Sequence, residues 1–267
     1  MKHRAFSVLG NIAIVNFSHG AKVRDKKKFA NEILEKNKAI RTVLEKSGIF
    51  KGRLRKMETK VLAGEKTKEV LYKENGCEFR FNIDETYFSP RLSNERKEIA
   101  GLIKKGEEIL VMFAGVGPFS IVIAKNSNVK KVYSNELNRK ANKYGELNIE
   151  RNRLKDKVEL VPGDVKKVVL KLKESKRSFD VIVMPRPQLK DSFLEEAFMV
   201  SKKGTRIYYY DFCKVEDIDS KVEMVRGEAK KVGKKIKILN VKNAGEIAPY
   251  KVRVRIDFVV GEEYKFL

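Results

Sequence analysis

Two glycines, Gly115 and Gly117, lie between the apolar run Ile109–Phe113 and a segment that opens on Pro118. Glycine lets the backbone turn tightly and approach a ligand closely. Proline suits a first helical turn, where its missing N–H has no partner to lose. A helix N-terminus presented by such a turn, at the carboxyl end of a buried strand, is where α/β sheets hold nucleotides. Two carboxylates extend the pattern. Glu136 closes the apolar stretch from Lys131 and lies 19 residues after Gly117, the spacing that sets an acid against ribose hydroxyls. Asp164 closes the stretch from Val158 and suits hydrogen bonding to an adenine amino group. NAD, FAD and S-adenosylmethionine all fit this chemistry; the absence of a full G-x-G-x-x-G counts against NAD. A further constellation, Tyr87-Phe-Ser-Pro-Arg-Leu-Ser-Asn-Glu-Arg96, crowds a phenol, two arginines and a carboxylate before a helix. A capped helix start with solvated charges would give the same periodicity.

The elements that must position these groups alternate. Strands are expected at 109–113, 131–136, 158–164, 179–184 and 205–212, with helices between them, including Gln188–Ser201. That alternation gives a doubly wound sheet. Lys235–Val241 and Lys251–Val260 have no helix between them and should pair antiparallel, which leans toward the methyltransferase version of the fold. Upstream, two short strands should meet at Gly10-Asn11. The spacing of Phe29, Ile33, Leu34, Ile40, Val43 and Leu44 predicts one helix from Lys26 to Ser47, with Asp25 as its cap and Gly48 after it. A strand is expected over Arg53–Ala63, and Asn75-Gly76 between two alternating runs predicts a type I′ hairpin. The chain divides into a basic α+β unit, residues 1–84, and an α/β unit, residues 85–267.

The 267 residues carry 59 Lys and Arg against 36 Asp and Glu, a net charge of +23. Residues 1–65 alone hold 16 basic against 6 acidic residues, a surplus of 10 concentrated in the first unit. A thermophile-like surface would raise Lys and Glu together; this one-sided balance suggests a polyanionic partner, nucleic acid. Cys77 and Cys213 are too few for a zinc site or a disulfide framework, and no apolar run is long enough to span a bilayer. A soluble, cytoplasmic protein without a metal is expected.

Leu62-Ala-Gly-Glu, Lys73-Glu-Asn-Gly, the Tyr87–Arg96 run, Met112-Phe-Ala-Gly-Val-Gly-Pro-Phe-Ser120, Tyr208-Tyr-Tyr and Ala248-Pro-Tyr250 occur in an order that resembles the archaeal and eukaryotic tRNA (guanine-N1)-methyltransferases. Those enzymes modify the guanosine 3′ of the anticodon, position 37. The resemblance runs from about residue 5 to the C-terminus. It implies a class I, Rossmann-like S-adenosylmethionine-dependent methyltransferase domain, a tRNA anticodon stem-loop as partner and a monomeric state. It implies Glu95 as the base that removes the guanine N1 proton, Arg55 (or Arg53) as the cation stabilising O6, and Tyr87 near the cofactor or the flipped base. It further implies Arg96, Phe113, Gly115, Gly117, Glu136, Leu137, Asp164, Val165 and Pro185 as cofactor contacts.

Three departures stand out. Val111 replaces an acid of the family. Pro185-Arg186-Pro187 replaces Asn-Leu-Pro, so Pro185 cannot hold a guanine edge, while Arg186 adds a charge expected to contact tRNA. The extra N-terminal domain of many members is not seen in this sequence. Phe-Ala-Gly-Val-Gly-Pro is shared with the sister wybutosine-pathway enzymes. C-7 methylation of the tricyclic base, or aminocarboxypropyl transfer, is therefore the second reading, and a catalytically weak tRNA-binding protein the third.

Overall fold

The computed structural model describes residues 6–18, 20–47 and 58–263. The chain opens with β1 (Phe6–Leu9), β2 (Ile12–Val15), α1 (Val23–Lys36), β3 (Thr42–Lys46) and β4 (Thr59–Gly64), whose strands form one sheet in chain order. β1 and β2 are antiparallel about Gly10-Asn11, as the sequence predicts. β2 and β3 are parallel, which requires a crossover between them, and α1 supplies it. Ala30 and Ile33 of α1 pack on Ala13, Val15 and Val43 in a small core of their own.

The single helix expected over Lys26–Ser47 is therefore two elements. Asn37 ends α1: its backbone N–H and its Nδ2 both donate to the Ile33 carbonyl, at 3.0 and 2.9 Å. Val43 and Leu44, which complete the helical stripe on paper, lie in β3, where β-branched Thr42 and Val43 are at home. Lys22, not Asp25, is the cap residue of α1. Gly48 and the first part of the strand expected from Arg53 lie outside the described residues; the strand is seen from Thr59.

A hairpin follows, β5 (Glu69–Glu74) and β6 (Cys77–Asn82). Asn75 and Gly76 have φ of 47° and 72°, both positive as a type I′ turn demands. The remaining elements are α2 (Ser93–Leu102), β7 (Glu108–Val111), α3 (Pro118–Asn126), β8 (Lys131–Glu136), α4 (Arg139–Arg151), β9 (Val158–Pro162), α5 (Val165–Glu174), β10 (Phe179–Met184), α6 (Leu194–Met199), β11 (Ser201–Lys214), α7 (Ile218–Lys231), β12 (Lys234–Ala248) and β13 (Lys251–Glu263). Seven strands form one sheet in the order β12-β13-β11-β10-β7-β8-β9. The five strands from β11 to β9 are parallel; β13 and β12 are antiparallel, the expected terminal pair.

Alternation along the central strands feeds two cores. Ile109 and Val111 of β7 share one with Ile99 of α2, Ile121 of α3 and Phe79 of the hairpin. Leu110 and Met112 share the other with Val169 of α5, Phe198 of α6 and Val225 of α7. Helices thus cover both faces, which is why these strands read as continuous apolar runs.

The hairpin belongs physically to this larger unit. Asn148 Oδ1 accepts the Arg80 N–H at 2.7 Å while its Nδ2 donates to the Arg80 carbonyl at 3.1 Å. Asn152, four residues on, makes the same pair with Glu78, at 2.9 and 2.7 Å. Asn11 joins the first sheet to the hairpin, its Oδ1 accepting the Leu71 N–H at 2.7 Å. No helix among the described residues is long and apolar enough to cross a membrane.

Candidate active site

The carboxyl ends of the parallel strands open on a cavity of about 850 Å³, solvent at its mouth included. Its floor is the glycine turn. Gly115 and Gly117 have φ of 60° and 87°; Gly117 caps α3 and Pro118 is the helix's first residue, as the sequence predicts. Phe113 also has positive φ, 59°, which is costly for an aromatic residue. Its ring meets that of Phe193 edge-on at 5.0 Å. Phe113 and Gly115 both line the cavity.

Glu136 stands at the end of β8 beside that turn. Its Oε2 accepts the Gly115 N–H and its Oε1 the Asn138 N–H, each at 2.7 Å. Burial pushes this carboxyl above its ordinary value, and the N–H groups of Asn138, Gly115 and Leu137 hold it back. With these N–H groups bound, carboxylate acceptor capacity still remains for a ligand hydroxyl. Leu137 and Asn138 line the wall next to it, and Gly163 and Val165 the wall beyond. Asp164 itself is turned to cap α5, its Oδ1 accepting the Lys166 N–H at 3.0 Å.

Two asparagines that the sequence did not single out hold these loops. Asn135 donates from Nδ2 to the carbonyls of Val161 and Gly163, at 2.8 and 3.1 Å. Asn138 caps α4 and donates from Nδ2 to the Glu85 carbonyl at 2.9 Å, fixing the approach to Tyr87. Tyr87 and Leu92 form the opposite wall, with Pro185 and Pro187 after β10 and Arg253 of β13. Arg253 was equally absent from the sequence reading. Its guanidinium lies 5.0 Å from the Phe212 ring.

Arg186 is a correction. Expected to meet tRNA, it is 3% exposed. Nη1 donates to the Asp211 carboxylate, and Nη2 to the carbonyls of Leu189 and Asp191 at 2.6 and 2.7 Å. Its Nε has no hydrogen-bond partner among the described residues. These carbonyls explain a second correction: the helix expected over Gln188–Ser201 forms only over Leu194–Met199, because the preceding residues wrap the guanidinium.

Arg96 is a third. It is 1% exposed and grips Glu74 through Nε and Nη2, while Nη2 also donates to the Ser89 carbonyl at 3.0 Å. The rings of Phe88 and Phe119 lie 5.1 and 5.7 Å from it. It ties the hairpin to the Tyr87–Arg96 loop and does not line the cavity. Glu95 also lies behind the wall, one helical turn from cavity-lining Leu92. Its Oε2 accepts from Tyr210 Oη at 3.0 Å and Arg255 Nη1 at 2.7 Å, and Lys242 Nζ is 3.0 Å from Oε1. Arg53 and Arg55 lie outside the described residues.

An acid at the second strand's end, a glycine turn after the first and an apolar wall fit an adenosyl cofactor. On a doubly wound sheet closed by an antiparallel pair, these features define a class I S-adenosylmethionine-dependent methyltransferase. More narrowly, the chain belongs to the TRM5/TYW2 methyltransferase family: residues 70–239 match its methyltransferase domain and residues 2–67 the TYW2 N-terminal domain. The hairpin falls on the methyltransferase side of that division, in keeping with its bonds to α4.

Among curated proteins, the chain is 32% identical to the tRNA (guanine(37)-N(1))/4-demethylwyosine(37)-methyltransferase Taw22 of Nanoarchaeum equitans, over 95% of this chain and 98% of that protein. Among solved structures, Trm5b from Pyrococcus abyssi superposes with a TM-score of 0.83 at 33% identity, covering 97% of this chain and 75% of that one. The complex of aTrm5 with tRNALeu gives a TM-score of 0.81 at 28% identity, covering 96% and 71%.

Proposed function

We propose that this protein methylates N1 of the guanosine 3′ of the anticodon in tRNA. The observation that carries the reading is one cavity in which the cofactor end (Gly115, Glu136, Val165) and the aromatic and basic end (Tyr87, Arg253) are continuous. The relatives named above support the substrate, and the surplus of basic residues supports an RNA partner. By the same reading the protein acts as a cytoplasmic monomer.

The chemistry divides between the two ends. Bound S-adenosylmethionine supplies an electrophilic methyl group and a neutral thioether leaving group. Glu136 and the glycine turn orient it. Tyr87, Pro185 and Pro187 form a slot for a flipped base, which a loop nucleotide can enter at low unstacking cost. Guanine N1 must lose its proton before it attacks, and the charge left behind spreads onto O6. Arg253 lies in the wall as a cation for that oxygen, beside the role proposed for Arg55. Glu95 takes the proton. Of its partners, Lys242 is the one able to leave, with 35% of its side chain exposed, and its departure opens Oε1.

The test is incubation with labelled S-adenosylmethionine and an unmodified tRNA transcript carrying guanosine at that position, followed by nucleoside analysis. N1-methylguanosine is the expected product. Label appearing only on tRNA that already carries the tricyclic base would replace this reading with the wybutosine-pathway one.

A further inference from the structure

The hairpin between β12 and β13 turns on Pro249-Tyr250, with Ala248 paired to Lys251 across it. Tyr250 has φ of 58°. A proline followed by a residue of positive φ is a turn whose third position ordinarily takes glycine or asparagine, because a Cβ there crowds the backbone. An aromatic residue breaks that rule, and packing does not compensate: Tyr250 is 85% exposed, the most exposed large hydrophobic side chain among the described residues. Its backbone is nonetheless fixed, since the Val215 N–H donates to its carbonyl at 3.1 Å. The ring is thus held in water, on a pinned turn, at a local energetic cost.

The strand behind it leads to the active site. Arg253 lines the cavity, and Lys251 lies two residues outward on the same face of β13, paired across to Lys214 of β11. Lys214 is itself engaged by Glu216 at 2.9 Å, and Lys251 is exposed. At about 3.3 Å per residue, Tyr250 stands about 10 Å beyond Arg253. Outward from Arg253 in the cavity come an exposed cation, Lys251, and then an exposed ring, the arrangement that tracks a single strand leaving the pocket: a cation for the backbone, an aromatic face for a base.

Building on the function proposed above, we propose that Tyr250 is a stacking platform for an unpaired nucleotide of the RNA substrate, next to the one whose base enters the cavity. The ring supplies a sequence-tolerant face, and the pinned turn limits the entropy lost on binding.

The experiment uses the full chain and an anticodon stem-loop RNA carrying guanosine 3′ of the anticodon. Tyr250→Asn removes the ring while placing at the turn a residue that tolerates positive φ, so the fold is kept. It should weaken RNA binding about five- to a hundredfold with cofactor affinity unchanged. Tyr250→Trp introduces the only tryptophan in a chain that has none. Its emission should be quenched by the RNA, and less so by the same RNA made abasic beside the target. If the wild-type protein methylates the RNA but Tyr250→Asn binds it equally well and the tryptophan emission does not change, the stacking role is wrong and the function stands. If Tyr250→Asn alters only self-association, the tip is a contact between copies and the proposal also fails. If the wild-type protein neither binds nor methylates the RNA, the functional reading falls and takes the platform with it.

Discussion

Glu95 and Arg255 form a buried ion pair, Oε2 to Nη1 at 2.7 Å, between α2 and β13. Arg255 also bridges to Asp257 at 2.8 Å and to Glu98 at 2.7 Å, so one guanidinium gathers three carboxylates. Removing it leaves buried charge without its partner. Arg255→Leu should cost about 3–5 kcal/mol of stability. Lys242→Met removes a partly exposed partner and should cost under about 1 kcal/mol. Urea unfolding of the two variants measures both; equal losses would mean that Arg255 is not the anchor.

Glu95→Gln keeps the shape of the side chain and removes its capacity to hold a proton. Turnover should fall at least about a hundredfold while cofactor affinity changes by less than about twofold. Single-turnover kinetics alongside calorimetric titration of S-adenosylmethionine would separate the two. Parallel losses, or none, would remove Glu95 from the proton path and leave it as a structural member of its cluster.

Glu136 carries a pH prediction with a definite sign. Burial raises its carboxyl above the ordinary 4.5, so it takes up a proton earlier than an exposed glutamate as pH falls. The protonated form loses acceptor capacity toward the ribose hydroxyls. Cofactor affinity should therefore be full near neutrality and decline as pH falls, the decline beginning above 4.5. Glu136→Gln should weaken binding at neutral pH and flatten that dependence. A wild-type affinity that stayed constant from neutrality down to pH 4.5 would contradict the assignment.

Arg186 lines the cavity and braces the loop after Pro187. Arg186→Leu strands the buried Asp211 carboxylate, to which Lys221 would still donate at 2.9 Å, and frees the carbonyls of Leu189 and Asp191. A loss of about 3 kcal/mol is expected, with weakened substrate binding as the loop after Pro187 loosens. Lysine cannot reproduce the fork, so Arg186→Lys should recover less than half of the loss in a thermal melt.

Arg96→Lys discriminates a bracing role from a ligand-binding one. The bidentate grip on Glu74 and the two ring contacts are lost, so the melting temperature should drop. Cofactor affinity should stay within about twofold, because Arg96 does not line the cavity. An affinity loss with no change in melting temperature would restore it as a cofactor contact.

What the sequence disclosed was whatever depends on neighbours along the chain. The glycine turn, the acid closing β8, the type I′ hairpin and the antiparallel last pair are local patterns, and each lies where spacing predicts; Asp164 instead falls past the end of β9 and caps α5. What stayed hidden depends on distant partners. Asn37 ends a helix whose apolar period continues on paper to Leu44. α6 is short because Arg186 draws the preceding carbonyls to itself while its own charge is met by Asp211, 25 residues away. Arg253 reaches the cavity because β13 pairs with β11, and nothing in the alternation of Lys251–Val260 reveals which strand it lies beside. Arg96 and Glu95 read alike in sequence as charges before a helix; only their partners distinguish a brace from a buried cluster.

The paired asparagines at the C-terminal end of α4, Asn148 and its cap Asn152, have an effect unrelated to catalysis. A two-stranded ribbon presents an outer row of N–H and C=O groups that invites a strand from another molecule. Along β6, Glu78 and Arg80 offer that row, and the amides of Asn152 and Asn148 each satisfy one donor and one acceptor of it. A helix thereby seals a sheet margin with side chains in place of backbone. The protein gains resistance to edge-to-edge aggregation at a margin it could not leave bare.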